Sequence, residues 1–140
     1  MIKVLNIISD SNIGGAGRCL INFLKYYDRT KFDIKVTLPK GSLLIPELEK
    51  LNTEVIEVDG IADKSFDVHA IGKLNKIIKM YSPEIVHTHG TVTGRISGRM
   101  CGKKVVYTRH SVFPVNPKIK KGIGRFINKT LNEYLADDII

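Results

Sequence analysis

The sequence predicts an α/β fold in which a mostly parallel β-sheet is covered by helices on both faces. Short apolar runs alternate with segments of helical periodicity along the chain. The first run, Lys3–Ser9, is nearly continuous in apolar residues, as in strands that are buried on both faces of a parallel sheet. Strands that alternate with helices in this way predict a doubly wound α/β sheet.

Each predicted element has a local reason. Leu20, Phe23, Leu24 and Tyr27 recur at helical spacing after the first strand, and Pro46 suits the first turn of a short second helix. The predicted strands lie at 3–9, 32–39, 54–60, 84–90 and 104–110, and the helices between them at 18–27, 45–52, 71–81 and 91–102.

The end of the chain predicts one more helix and one more strand. Asn116 is a good N-cap and Pro117 suits the first position of a long amphipathic helix, which Gly122 and Gly124 soften. The segment Leu135–Ile140 resembles the start of a sixth strand. We therefore expect a single domain over residues 1–140 that is part of a longer protein.

Charge is distributed unevenly along the chain. The formal net charge is +8, and the 48 residues between Glu84 and Glu133 contain ten Lys or Arg and no acidic residue. This asymmetry predicts an anionic partner, such as phosphate, nucleic acid or an acidic membrane, and the alternative is a solvated basic face.

Several classes of protein do not fit the composition. No window approaches the ~18 apolar residues of a membrane span, and the first residues lack the cleavage site of a secretory signal. Cys19 and Cys101 are far apart and have no C-x-x-C partner, which argues against a disulfide scaffold and favours a reducing, cytoplasmic environment.

Three segments are predicted to meet where the parallel strands end, at 9–17, 87–93 and 109–114, because ligands of such sheets bind beyond the carboxyl ends of the strands. The first contains Gly14, Gly15 and Gly17, which let backbone N–H groups approach a phosphate at a helix N-terminus. A turn needed only for tight packing is the alternative. A nicotinamide fingerprint is incomplete here, because its last glycine and the acidic residue after the second strand are missing.

The histidines admit more than one interpretation. His87 and His89 are two apart on a strand and share one face. With His110 as a third ligand they form a metal site in one interpretation. In the favoured one, His87 packs into the fold, whereas His89 and His110 hydrogen-bond a polar ligand.

The stretches NIGGAGRCLINFLKYY, EIVHTHG and VVYTRHS, in this order, resemble the N-terminal domain of group 1 retaining glycosyltransferases of the GT-B type. In that family two Rossmann-like domains face each other across a cleft. The N-terminal domain mainly holds the acceptor, and the C-terminal domain holds most of the nucleotide-sugar donor. The resemblance implies that this chain is the acceptor-side half, that the donor-binding domain lies outside it, and that the chain alone is inactive.

The resemblance also assigns residues by position. Gly14 and Gly15 match the loop that approaches the donor pyrophosphate, and His110 matches the histidine that contacts the transferring sugar. His89 matches the second histidine of the fourth-strand motif. We add Thr91 and Arg95 as substrate-binding residues, with Arg95 expected to face an anionic acceptor.

Transfer of a sugar from a nucleotide-sugar to a carbohydrate or lipid-linked acceptor, with retention, is the function that the resemblance implies, in cell-surface polysaccharide synthesis and without metal or cofactor. A phosphate- or nucleic-acid-binding module is the alternative, although the basic stretch has few aromatic residues for base stacking. A nicotinamide dehydrogenase is less favoured.

The last predicted helix carries a basic stripe beside an apolar one. A basic amphipathic helix is typical of proteins that lie on anionic membranes. We expect the apolar stripe to pack on the sheet, so that the cations give weak, salt-sensitive attraction to a membrane surface without insertion. The cations are Lys118, Lys121, Arg125 and Lys129, and the apolar residues beside them are Ile119, Ile123, Phe126 and Ile127.

Overall fold

The computed structural model describes residues 1–110 and 122–140, apart from the side chains of Asn128 and Asn132. Its strands are β1 (Ile2–Ile8), β2 (Phe32–Pro39), β3 (Glu54–Val58), β4 (Ile85–His89), β5 (Lys104–Thr108) and β6 (Asp138–Ile139). Its helices are α1 (Gly15–Tyr26), α2 (Ile45–Glu49), α3 (Val68–Tyr81), α4 (Val92–Met100) and α5 (Gly122–Glu133). The five predicted strands and the predicted sixth strand are all confirmed.

The strands form one sheet in the order β3-β2-β1-β4-β5-β6, and all five strand pairs are parallel. The chain adds strands outward from β1 in one direction and then, after α3, in the other. The order therefore reverses between β1 and β4, and this is where a doubly wound sheet forms its ligand-binding crevice. The predicted α/β class with a parallel, Rossmann-like sheet is confirmed.

The core consists of one apolar cluster on each face of the sheet. Val4 and Ile8 pack with Leu20 and Leu24 of α1, and with α2, on one face. Leu5 and Ile7 pack with α3 and with Val86 on the other face. Alternate residues of β1 thus enter opposite clusters, as the period of a strand requires. Asn6 is the single polar residue within the buried run Val4–Ile8, and its side chain lies on the α1 face.

Glycines in α4 allow this helix to approach the sheet closely. A Cβ atom at Gly98 would lie 2.7 Å from Cγ2 of Val105, and one at Gly94 would lie 2.9 Å from Cγ2 of Thr91. Glycine is a poor helix former, so these two residues lower the intrinsic helix propensity of α4. The structure adds that their missing side chains are required for packing, because protein interiors have no room for an extra methyl group.

Helix α5 departs from the prediction. Its predicted start at Asn116, with Lys118, Ile119 and Lys121, lies outside the described residues. The expectation that its apolar stripe packs on the sheet is wrong for Ile123, Phe126 and Ile127, which are 79%, 71% and 50% exposed. None of the described helices is long and apolar enough to cross a membrane.

Substitution of Gly98 by alanine is expected to lower the free energy of unfolding by ~1–3 kcal/mol, since the new methyl group collides with buried Val105 and Val86. Gly72→Ala in α3 is the matched control, because nothing lies within 4 Å of its added Cβ atom. The control should raise stability by ~0.5–1 kcal/mol through helix propensity. Urea unfolding measures both, and equal effects of the two substitutions would contradict the packing role of Gly98.

Candidate functional site

The candidate site lies at the carboxyl ends of β1, β4 and β5, which are adjacent in the sheet. Ile8 is paired with His89 across β1 and β4, and His89 with Thr108 across β4 and β5. The glycine loop after β1 and His110 after β5 therefore flank the end of β4. The three segments that the sequence assigned to a ligand site are brought together at this edge in their described part.

Two histidines and an asparagine form a chain of hydrogen bonds at this edge. Nδ1 of His89 lies 2.8 Å from Nε2 of His110, and Nε2 of His89 lies 3.0 Å from Oδ1 of Asn6. His89 and Asn6 are buried, whereas His110 is exposed. His89 was expected to contact a ligand. In the structure its ring is buried and both of its nitrogens already have protein partners.

His87 lies beside this chain without joining it. Its ring centroid is 4.4 Å from that of His89, and its Nε2 lies 2.7 Å from the hydroxyl of Thr108. The two rings share one face of the sheet, as the spacing predicted. The half-buried ring and its partner on β5 agree with a packing role for His87.

Both interior histidines are held in the neutral form. Burial lowers the pKa of His87 to about 4, and the charge of His110 acts in the same direction. Burial, with His87 and His110 nearby, lowers the pKa of His89 to about 3. A neutral imidazole has one donor and one acceptor nitrogen, so each ring can pass on a defined hydrogen-bond polarity.

The N-terminus of α1 has no side-chain cap within the described residues. Its N-cap residue, Gly14, gives no side-chain cap, and the first turn contains no acidic residue. By contrast, α3 is capped by Asp67 and α4 by Thr91. Gly14 and Gly15 are exposed, and nothing lies within 4 Å of a Cβ atom added at Gly15. The unpaired N–H groups and the helix dipole make this end suited to an anion.

Asp10 also belongs to the site, although it is part of none of the motifs that predicted the site. Burial, together with the charge of Asp63, raises the pKa of its carboxyl, and the charge of His110 partly offsets this. A Cβ atom at Gly14 would lie 3.7 Å from Oδ2 of Asp10. Its position just after β1 was the available signal, but a single aspartate could not be placed near His110 without the fold.

Thr91 has a structural role in this structure. Its hydroxyl accepts a hydrogen bond from the backbone N–H of Gly94 and donates one to the carbonyl of Ser65. The same carbonyl accepts hydrogen bonds from the N–H groups of Val92 and Thr93. The loop before α3 is thereby fixed to the start of α4. Thr91, expected to bind substrate, serves as the N-cap and has its hydroxyl occupied.

Arg95 lies away from the strand ends. Its side chain is buried, its guanidinium stacks 4.3 Å from the ring centroid of Tyr107, and its Nη1 donates to the carbonyl of Leu131 in α5. Arg99 likewise donates to the carbonyl of Tyr134 and forms an ion pair with Asp137. The expectation that Arg95 faces an anionic acceptor is therefore corrected, because α4 directs its arginines toward α5 and the segment after it.

Metal ligation finds no support in the described part of the chain. No three His, Cys, Asp or Glu side chains there are arranged to hold a metal ion. Nδ1 of His89 and Nε2 of His110 are directed at each other across 2.8 Å, as in a hydrogen bond. One of them carries a hydrogen atom, so the pair does not offer two free lone pairs to a cation.

A parallel sheet of this order is a doubly wound, Rossmann-like sheet. The comparisons with known proteins identify it as the N-terminal domain of a GT-B fold. The chain belongs to Glycosyltransferase Family 4, whose family profile matches residues 13–138. The predicted resemblance to the N-terminal domain of GT-B glycosyltransferases is confirmed. None of the curated proteins is significantly similar to the chain in sequence.

Solved structures agree with this fold. MurG from Acinetobacter baumannii superposes with a TM-score of 0.72 at 12% identity, covering 99% of this chain and 40% of MurG. HepE from Anabaena in complex with UDP-glucose superposes with a TM-score of 0.71 at 18% identity, covering 99% of this chain and 37% of HepE. UDP-GlcNAc 2-epimerase from Neisseria meningitidis bound to UDP-GlcNAc superposes with a TM-score of 0.66 at 13% identity, covering 99% of this chain and 39% of the epimerase. This chain thus spans about two fifths of these structures.

Acid is expected to destabilise the fold through its buried histidines. The pKa values of His87 and His89 are lower in the folded chain than the ~6.5 of an unfolded one, so the unfolded chain binds protons first as the pH falls. The free energy of unfolding should fall below pH ~6.5, by up to ~1.4 kcal/mol per pH unit for each histidine, until pH ~4. The raised pKa of Asp10 has the opposite effect on stability, because the folded chain binds the proton of this carboxyl before the unfolded chain does.

Urea unfolding between pH 7.5 and 4.5 measures this slope. His87→Gln should reduce the slope by the contribution of one proton. His69→Gln, at an exposed position of α3, is the control and should leave it unchanged. Stability that stays constant between pH 6.5 and 4.5 would contradict the neutral state of both rings.

Proposed function

We propose that this chain is the acceptor-side domain of a glycosyltransferase that moves a sugar from a nucleotide-sugar to a carbohydrate or lipid-linked acceptor, with retention. The observation that carries the proposal is the open N-terminus of α1 next to the His89–His110 pair. The first group suits a phosphate and the second suits a sugar hydroxyl. The UDP and UDP-sugars bound by the structural neighbours add support.

In this proposal the glycine loop binds the leaving diphosphate. Negative charge grows on the phosphate as the bond to the sugar breaks. Backbone N–H groups that are already oriented stabilise this charge without reorganisation in the transition state. Gly14 and Gly15 leave the helix end accessible, since neither carries a side chain that would cover it.

His110 contacts the transferring sugar in this proposal. Its ring is exposed at the end of β5, and one nitrogen is anchored on buried His89. A neutral, oriented imidazole contributes a hydrogen bond to a hydroxyl group without moving a charge into the cleft. Asp10 lies close enough to His110 for the two charges to interact, and a Cβ atom at Gly14 would lie 3.7 Å from its Oδ2, so Asp10 is near both groups.

The remaining parts of the proposal concern the whole protein. The chain spans about two fifths of its structural neighbours, and we propose that a second domain beyond this chain supplies most of the donor site. This chain alone is then expected to have no transferase activity. Catalysis in the reducing cytoplasm, without metal or cofactor and in the synthesis of cell-surface polysaccharide, completes the proposal.

Removal of the His110 ring tests the assignment. In the full-length protein, His110→Ala should lower the turnover number ~10²–10³-fold, the range of a lost polar contact in the transition state. His69→Ala, on the exposed surface of α3, is the matched control and should retain turnover. Transfer from UDP-glucose and other nucleotide-sugars to an acceptor mixture provides the assay. Undiminished transfer by His110→Ala, or conversion of the donor to its epimer without transfer, would contradict the proposal.

We propose further that α5 contributes weak attraction to an anionic membrane surface. Arg125 and Lys129 lie on the same helix as the exposed side chains of Ile123 and Phe126, and Lys129 also pairs with Glu133 at 3.8 Å. Cations near an acidic surface are each worth ~1 kcal/mol, and salt screens them.

Co-sedimentation with vesicles measures this attraction. Binding should require anionic lipid, decrease as salt is raised, and decrease further in the double variant Arg125→Gln and Lys129→Gln. Lys25→Gln on α1 is the control and should bind as the unaltered chain does. Equal binding to neutral and anionic vesicles would contradict an electrostatic contact.

A further inference from the structure

Asn6 is a polar residue at a buried position of β1 where an apolar residue is expected. It is fully buried within an otherwise apolar run at the centre of the sheet, where an aliphatic side chain would pack without polar atoms. Burial of an amide is unfavourable unless its groups are hydrogen-bonded. Oδ1 of Asn6 has a partner in Nε2 of His89. Within the described residues, Nδ2 of Asn6 has none.

The hydrogen atoms of the chain follow from this contact. Oδ1 of Asn6 is an acceptor, so Nε2 of His89 carries the hydrogen atom. A neutral His89 then has a bare Nδ1, which accepts. Nε2 of His110 must therefore donate across the 2.8 Å contact. The nitrogen of His110 that remains, Nδ1, is bare when this ring is neutral. Within the described residues, no hydrogen-bond partner of Nδ1 is present.

We propose that Asn6 and His89 are positioning residues that set the tautomer of His110, so that His110 presents Nδ1 to a ligand as a hydrogen-bond acceptor. The partner that suits such a nitrogen is an O–H group, as in a sugar or an acceptor alcohol. The identity of this ligand rests on the proposed function. The tautomer itself does not, since it is a property of the chain without ligand.

The amide orientation of Asn6 decides the polarity of the whole chain. If the amide turned over, Nδ2 would donate to Nε2 of His89, and Nδ1 of His89 would then donate to His110. His110 would be left with a hydrogen atom on Nδ1 and would become a donor. One buried side chain therefore determines which kind of ligand atom the exposed ring accepts, because the partner of one imidazole nitrogen fixes the state of the other.

Nitrogen-15 spectra of the histidine rings test the proposal directly. The chain contains four histidines, so labelling of histidine alone gives a spectrum that His69→Gln, His87→Gln and His110→Gln can assign. At pH ~7.5, above the ordinary histidine pKa of ~6.5, two-bond ¹H–¹⁵N correlations distinguish bare from protonated nitrogens. We expect His89 and His110 both to carry their hydrogen atom on Nε2. A hydrogen atom on Nδ1 of His110 would overturn the proposed polarity.

Two variants separate positioning from general disturbance. Asn6→Leu removes the amide and should shift His110 from one tautomer to a mixture, and Asn6→Ser serves if the leucine variant does not fold. Thr108→Val removes the partner of His87 on the same sheet edge and should leave His89 and His110 unchanged. A folded Asn6 variant in which His110 keeps its tautomer would overturn the positioning role.

The turnover number of the full-length protein gives a second, independent test of the positioning role. Asn6→Leu should lower kcat tenfold or more and leave KM for the donor nearly unchanged, whereas Thr108→Val should retain activity. If the proposed sugar transfer is wrong, no turnover will be found but the tautomers will stand. If the positioning is wrong, the ring spectra will show it whether or not the protein transfers a sugar.

Discussion

The parallel pairing of β1 with β4 is the constraint on which the rest of the structure depends. It places the first strand in the middle of the sheet and makes the strand order reverse beside it. The glycine loop and the two interior histidines meet because of this pairing, although they are more than seventy residues apart. A one-residue change of register would move His89 to the opposite face and separate it from Asn6.

The polar groups at this edge are organised in layers. Asn6 and His89 are buried, and they meet His110, which is exposed, so that each ring is oriented by the one beneath it. Around them, the carbonyl of Ser65 fixes the start of α4, and the N–H of Ser11 donates to Asp63. Within the described residues, no side chain caps the N-terminus of α1.

Positive charge has two different structural settings. Arg95 and Arg99 pair with backbone carbonyls, with Tyr107 and with Asp137, and they join α4 to α5 and the following segment. Arg125 and Lys129 lie on α5 among exposed apolar side chains. Sequence alone treats all four as one basic stretch. The fold uses the first pair for packing and leaves the second pair at the surface.

The sequence by itself determined the order of strands and helices, the parallel sheet and the edge at which the site lies, because apolar periodicity and turn residues are local signals. It could not determine which polar side chains are buried. The roles of Asn6, Thr91 and Arg95 depend on partners that only the fold brings to them. These partners are His89 for Asn6, Ser65 for Thr91 and Leu131 for Arg95. The tertiary structure decided these roles, since a hydrogen bond or a packed methyl group depends on distances between residues that are remote in sequence.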